Sequence, residues 1–269
     1  MTINLIAVQQ DLPRPPTPPA TFARYARTDE HHDINGLPSE VKIRLVGSHP
    51  LWGHHLWNAA IALARYLEMN QNLVQDKFVL ELGAGGGLPG IVSAQIGAAK
   101  VVLTDYPDNE LLENLRFNID HNISLENRVR ADVQGYIWGQ SVDHLLDALP
   151  PNHGPGRAFD LIILSDLVFN HSQHDALLKS CELCLTSHTL LLESSAMDHP
   201  APSMLVFYTH HRPHLAHRDL TFFDKARTCG WICEKVVTRK FPPMFPEDPG
   251  DEEVRSTVHG WKLTRQVIT

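Results

Sequence analysis

Cysteine is scarce in this chain: four stand in 269 residues, and Cys181, Cys184, Cys229 and Cys233 imply no disulfide framework. Cys181-x-x-Cys184 lies in an apolar, helix-like stretch from Leu177 to Leu185, and the second pair lacks zinc-loop glycines, so all four read as core thiols and no metal is expected. Positive charge is in deficit too. With 23 Lys plus Arg against 31 Asp plus Glu, the net charge is −8, which argues against a nucleic-acid partner held through phosphates and suits a basic protein or a small molecule. No apolar run is long enough to cross a bilayer and no basic-then-apolar leader is present, so a cytoplasmic protein without membrane contact is expected. Histidine is abundant, 17 in all, but Pro213 interrupts any helix that would align His210 with His214, and the His210 to His217 segment reads as a histidine-lined loop rather than a metal cage.

A hydrophobic content of 43% supports one large α/β domain with an appendage. Residues 1–45 are set apart by Pro13, Pro15, Pro16, Pro18 and Pro19 and read as an extended arm, either laid over the domain or free of it; residues 46–269 are the domain. Helical spacing runs from His54 to Leu67, and strand-like and helix-like segments then alternate. Strands are expected at Phe78–Leu82, Lys100–Asp105, Phe159–Leu164 and residues 188–193, with helices around Leu111–Ile119, Leu177–Leu185 and Asp219–Gly230. Two alternating segments, Trp231–Thr238 and Val254–Leu263, flank a proline- and acid-rich loop and read as an antiparallel hairpin. The pattern is a doubly wound, mostly parallel sheet.

The richest segment is Val79-Leu-Glu-Leu-Gly-Ala-Gly-Gly-Gly-Leu-Pro-Gly90, a buried strand running through glycines into a helix start. Glycines let the main chain approach a ligand, and the N–H groups of the following helix face it, so this is a nucleotide-cofactor site. Gly85, Gly87 and Gly90 also satisfy the dinucleotide pattern G-x-G-x-x-G. Glu81 decides against a dinucleotide. A carboxylate inside an apolar strand needs a polar partner, which S-adenosylmethionine supplies through its amino-acid moiety and nearby loop groups, whereas a pyrophosphate would be repelled. Asp105, 24 residues further on at the end of the next strand, is placed to accept bonds from ribose hydroxyls.

These residues, together with Asn114-Leu-Arg-Phe-Asn118, Trp138 and Ser165-Asp-Leu-Val-Phe169, resemble the seven-strand protein-lysine methyltransferases of methyltransferase family 16. Leu51-Trp-Gly-His-His-Leu-Trp57 and Phe207-Tyr-Thr-His-His-Arg-Pro-His214 are similar to its fungal branch once labelled nicotinamide N-methyltransferase-like, which acts on the amino terminus and a lysine of translation elongation factor one-alpha. The resemblance covers roughly residues 45–265 and implies a Rossmann-like seven-stranded sheet. It also implies that Gly83, Ala84 and Gly85 meet S-adenosyl-L-methionine through backbone, that Asp105 holds its ribose, that Trp138 covers its adenine, that Trp57 borders its methionine end, and that Ser165 contacts it from the other side.

Asp166, Phe169 and Asn170 follow the Phe159–Leu164 strand at the edge where a doubly wound sheet keeps its site. The resemblance makes Asp166 catalytic, although an Asp at a strand-to-helix turn also serves as a helix cap. Phe169 stands where many relatives carry Tyr, so the ring is a steric and π wall for an amine rather than an acid. His210 or His171 is the expected proton acceptor. The acidic run Glu247 to Glu253 reads as a solvated loop or as a rim for a basic protein. Three readings remain open: a protein amine methyltransferase, a small-molecule N-methyltransferase, and a non-enzymatic scaffold, the last disfavoured because a scaffold needs no intact Glu81, glycine loop, Asp105 and Asp166 together. Calorimetry separates the cofactor alternatives: the purified protein should take up S-adenosylmethionine or its demethylated product and ignore NADH, and the reverse would overturn the assignment of Glu81.

Overall fold

The computed structural model describes residues 18–27, 36–151, 157–185 and 200–265. Within them the chain begins with β1 (Thr21–Ala26) and β2 (Glu40–Leu45), an antiparallel pair with Thr21 opposite Leu45. Helix α1 (Asn58–Met69) leads into β3 (Phe78–Leu82), α2 (Leu88–Gln95), β4 (Lys100–Asp105), α3 (Asn109–Asn122) and β5 (Ala131–Gly135). Then come α4 (Asp143–Asp147), β6 (Leu161–Ser165), α5 (His174–Cys184), β7 (Ser203–Thr209), α6 (Ala216–Thr228), β8 (Trp231–Lys240), the short α7 (Glu252–Ser256) and β9 (Thr257–Arg265). Seven strands form one sheet in the order β5-β4-β3-β6-β7-β9-β8. Pairing is parallel from β5 to β7, and β9 runs antiparallel to both β7 and β8, so the doubly wound sheet closes on the expected hairpin.

Strand parity distributes the core over both faces. Val79 and Glu81 look toward α1, α2 and α3, where Leu63, Leu67, Val92 and Leu115 pack, while Leu80 and Leu82 look toward Phe159, Leu177, Phe222 and Phe223. The buried thiols Cys181 and Cys184 belong to that second layer. All seven residues of β7 are buried, as β3, β4 and β6 almost entirely are, but prolines at 200 and 202 give its approach the look of a loop and hid it in the sequence. The strand expected at residues 188–193 lies outside the described residues, as do most of the prolines of the amino-terminal arm. Among the described residues, no helix is long and apolar enough to cross a membrane.

The β1–β2 pair is seated on the domain by polar contacts at both ends. Asn118 Oδ1 accepts from Arg44 N at 2.7 Å, and its Nδ2 donates to Arg44 O at 2.8 Å and to Gly86 O at 3.0 Å; Asn114 Nδ2 adds a bond to Arg44 O at 2.9 Å. The fit over the glycine turn is close: a Cβ on Gly86 would stand 2.5 Å from Ile43 Cγ2. At the other end Glu68 of α1 takes the Tyr25 hydroxyl at 2.6 Å and Arg27 Nε at 2.7 Å, while the guanidinium also donates to Gln95 Oε1 and Pro38 O. Both charges of the Arg27–Glu68 pair are fully buried, and a buried charge left without its partner is far costlier than the pair itself. Glu68→Ala should therefore lower the unfolding free energy by about 3–5 kcal/mol in a urea titration followed by circular dichroism, and a change near zero would show that the hairpin is not held by this pair.

Candidate active site

A cavity of about 590 Å³ opens at the carboxyl edge of the sheet, walled by the glycine turn after β3, the end of β4 and the loop after β6. Gly83 has φ +60, and a Cβ there would sit 2.7 Å from Leu167 Cδ2 and 3.2 Å from the Trp138 ring. Gly85 has φ +54 and its missing Cβ would project into open space, so the turn forms a cradle that any side chain would obstruct. Asp105 ties this turn to β4: its Oδ2 accepts from Gly85 N and its Oδ1 from Tyr106 N, each at 2.7 Å. Burial raises the Asp105 pKa, and these two bonds oppose the rise.

Glu81 does not reach the cavity. Fully buried beneath the turn, it accepts from Gly90 N at 2.8 Å through Oε2, and Oε1 has no partner among the described residues. Burial pushes its pKa up to about 8 against the lowering effect of the Gly90 bond, with Asp105 adding to the rise. The polar partner that the sequence reading sought in a ligand is thus found in the first turn of α2, whose N–H groups point at the strand.

Of the other residues expected at the cofactor, Trp57, Ala84, Trp138 and Ser165 all line the cavity with Gly83, Gly85 and Asp105. Trp57 precedes α1, its backbone extended. The buried Ser165 Oγ has no hydrogen-bond partner among the described residues, which leaves a polar atom for a ligand at the end of β6, the strand paired beside β3 and its glycine turn. The cradle at Gly85, the Asp105 carboxylate, the Trp138 ring and this hydroxyl suit the backbone-held amino acid, ribose and base of S-adenosylmethionine.

Asp166, Phe169 and Asn170 line the same cavity. Asp166 caps no helix. It takes the left-handed conformation, φ 57, which Asp tolerates better than most residues, and its Oδ1 accepts from Thr209 N at 3.2 Å. Oδ2 meets His211 Nε2 at 3.0 Å, and the His211 ring lies 4.8 Å from Trp57, centroid to centroid. Burial disfavours the His211 cation, but the charge and hydrogen bond of Asp166, helped by Asp219, outweigh it, and the net shift is upward. The interaction is therefore fully present below the ordinary histidine value of about 6.5 and fades as pH rises through the higher folded value.

The histidines expected as proton acceptors are engaged elsewhere. His210 Nδ1 and His171 Nε2 each contact Asp219, at 2.6 Å. Beyond Thr209 the strand ends in a tight turn, His211 N donating to Thr209 O at 3.0 Å, and the turn sets His210 against Tyr208 and His211 against Asp166. Sequence reading missed His211, although His210-His211 is conspicuous; it also missed Tyr106, Ile137 and Trp52, roughly half exposed at the cavity wall. The acidic run begins two residues after Phe245, whose ring packs 5.3 Å from His55 and 6.0 Å from Trp57, so it stands beside the site. Two of its acids have local duties: Asp251 caps α7 by accepting from Glu253 N and Val254 N, and Glu253 pairs with Lys240.

The family model described as lysine methyltransferase matches residues 40–207. The protein N-terminal and lysine N-methyltransferase of Cryptococcus neoformans var. neoformans serotype D is 52% identical over 259 residues, covering 93% of this chain and 85% of that protein. Its counterpart in Schizosaccharomyces pombe is 45% identical over 253 residues, 93% and 91% of the two chains, and that of Kluyveromyces lactis 40% identical over 276 residues, 97% and 96%. A solved candidate methyltransferase complexed with SAH shares the fold, with a TM-score of 0.51 at 11% identity over 82% of this chain and 53% of that one.

The Asp166–His211 contact has a direct spectroscopic signature. Asp166→Asn keeps the shape and tolerates the left-handed backbone but removes the charge that raises His211, so the imidazole should titrate at lower pH than in the unaltered protein by NMR. An unchanged titration would mean that the two side chains are not paired in solution.

Proposed function

This chain belongs to the lysine methyltransferase family, is an S-adenosylmethionine-dependent methyltransferase, and from that premise we propose that it methylates the α-amine at a protein's amino terminus and the adjoining lysine, with translation elongation factor one-alpha as its substrate. The relatives named above, similar along nearly the whole chain, are protein N-terminal and lysine N-methyltransferases, which supports a protein amine over nicotinamide. A cytoplasmic site of action follows from that substrate.

The observation that carries this reading is Asp166 on the cavity wall, with its Oδ2 3.0 Å from Nε2 of His211, which stands outside the cavity lining. S-adenosylmethionine supplies an electrophilic sulfonium methyl. The residues in this proposal then have separate duties: Gly83, Ala84, Gly85, Asp105, Trp138 and Ser165 hold the donor, with Trp57 at its methionine end and Glu81 supporting the turn from below. Asp166 accepts a hydrogen bond from the incoming amine, and His211, on the carboxylate's other oxygen, receives the proton. Phe169 and Asn170 close the amine side against water. Holding two reactants in line is worth roughly 7–11 kcal/mol of barrier, so geometry supplies most of what an attack on a methyl group needs.

Proton affinity then ranks the substrates. Neutralising a lysine of pKa about 10.4 at pH 7 costs roughly 4–5 kcal/mol, while an α-amine near 7.7–8.0 costs about 1. A histidine raised above its ordinary value is closer to the α-amine than to the lysine, so transfer to it is less uphill from the chain end than from the lysine. The α-amine should accordingly react first at neutral pH, favoured by roughly 3 kcal/mol if both amines are held alike. Mass spectrometry of elongation factor one-alpha with a free or an acetylated amino terminus tests this. Undiminished total methylation of the acetylated protein would exclude the chain end as the main target, and rapid methylation of nicotinamide would favour a small-molecule enzyme.

A further inference from the structure

Asp219 lies in the first turn of α6, outside the cavity lining, yet it is the point where both loops of the amine side are fastened. Its Oδ1 takes His171, which directly follows the Asp166 to Asn170 segment, and its Oδ2 takes His210, which directly precedes His211. The carboxylate is 4% exposed and both contacts are 2.6 Å, short enough to be charge-assisted. Its support is rigid: Phe222 and Phe223, one turn along α6, are buried in the core. The loop after β6 is held from its far side as well, since His174 Nε2 meets Val168 O at 2.7 Å.

We propose that Asp219 is a positioning residue for methyl transfer: by clamping His171 and His210 to α6 it sets the distance between Asp166 and His211. The inference rests on the reading that this pair handles the amine's proton. A single carboxylate accepts from two imidazole N–H groups at once, whereas an amide has one acceptor oxygen and keeps the second contact only if that imidazole changes tautomer to accept from its NH2. Loss of the clamp frees two loops whose reactive groups must meet within hydrogen-bond reach, and a misplacement of about 1 Å costs on the order of a hundredfold in rate.

The test uses Asp219→Asn in the full chain, with elongation factor one-alpha bearing a free amino terminus as acceptor. The expected result is a kcat lowered at least tenfold with the KM for S-adenosylmethionine within twofold, and little further loss when Asp219→Asn is added to His211→Asn. The acidic limb of the kcat profile should move to lower pH. Asp166, Asp219, Arg212, His55, Asp248 and Arg255 are the titratable and charged neighbours of His211, and only Asp219 is altered. Without any substrate, the imidazole N–H resonance of His211 bonded to Asp166 should disappear in the variant. Should Asp219→Asn not fold, His210→Asn cuts the nearer arm and carries the same expectations. A full kcat, a loss that multiplies fully with that of His211→Asn, or persistence of the imidazole resonance would overturn the proposal. If His211→Asn itself leaves the rate intact, the proton-handling reading falls and takes the positioning role with it; if His211→Asn is slow and Asp219→Asn is not, only the positioning role falls.

Discussion

Buried carboxylates at the carboxyl edge of the sheet hold its loops in place by accepting their backbone N–H groups. Glu81 takes Gly90, Asp105 takes Gly85 and Tyr106, and Asp166 takes Thr209. A loop amide turned away from water must find an acceptor, and a carboxylate kept from water must find donors, so each deficiency offsets the other. The match is incomplete where donors are few. Glu81 has one, and burial raises its pKa to about 8; Asp105 has two, and burial still prevails. These groups are held in shape by the parallel pairing of β3, β4, β6 and β7, which delivers all their loops to one edge.

The amine side differs from the cofactor side in how it is held. The glycine turn is pressed from above by Ile43 and bound below by Asp105, a fixed cradle built from neighbours in the sheet and the β1–β2 hairpin. Asp166 and His211 come instead from two separate loops, and the residues beside them, His171 and His210, are both held by Asp219 of α6, a residue outside the cavity lining. Under the proposed roles donor binding and proton handling are therefore separable, with α6 reaching only the second.

Much of this was legible in the sequence because it is local. Glycines between an apolar strand and a helix, an acid 24 residues on, and an acid-x-x-aromatic run after another strand are patterns set by neighbouring residues, and the resemblance to a methyltransferase family joined them into one site. Apolar runs likewise marked β3, β4 and β6, alternation the terminal hairpin, and helical spacing most of the helices. The fully buried β7 escaped because prolines at 200 and 202 give its approach the look of a loop, whereas the almost equally buried β3, β4 and β6 stood out as apolar runs.

Sequence by itself marked the doubly wound order and placed Asp105 and Asp166 at strand ends, because each follows a recognisable apolar strand, while the class of cofactor rested on the family resemblance once Glu81 proved to lie outside the cavity. Only tertiary structure decided which histidine joins Asp166, that Glu81 serves the helix beneath the turn rather than the cavity, and that Asp219 gathers His171 and His210 from opposite sides of the site. Those choices rest on side-chain direction across residues 9 to 48 positions apart and, for the two histidines, on a tight turn after β7, and no spacing rule carries that information.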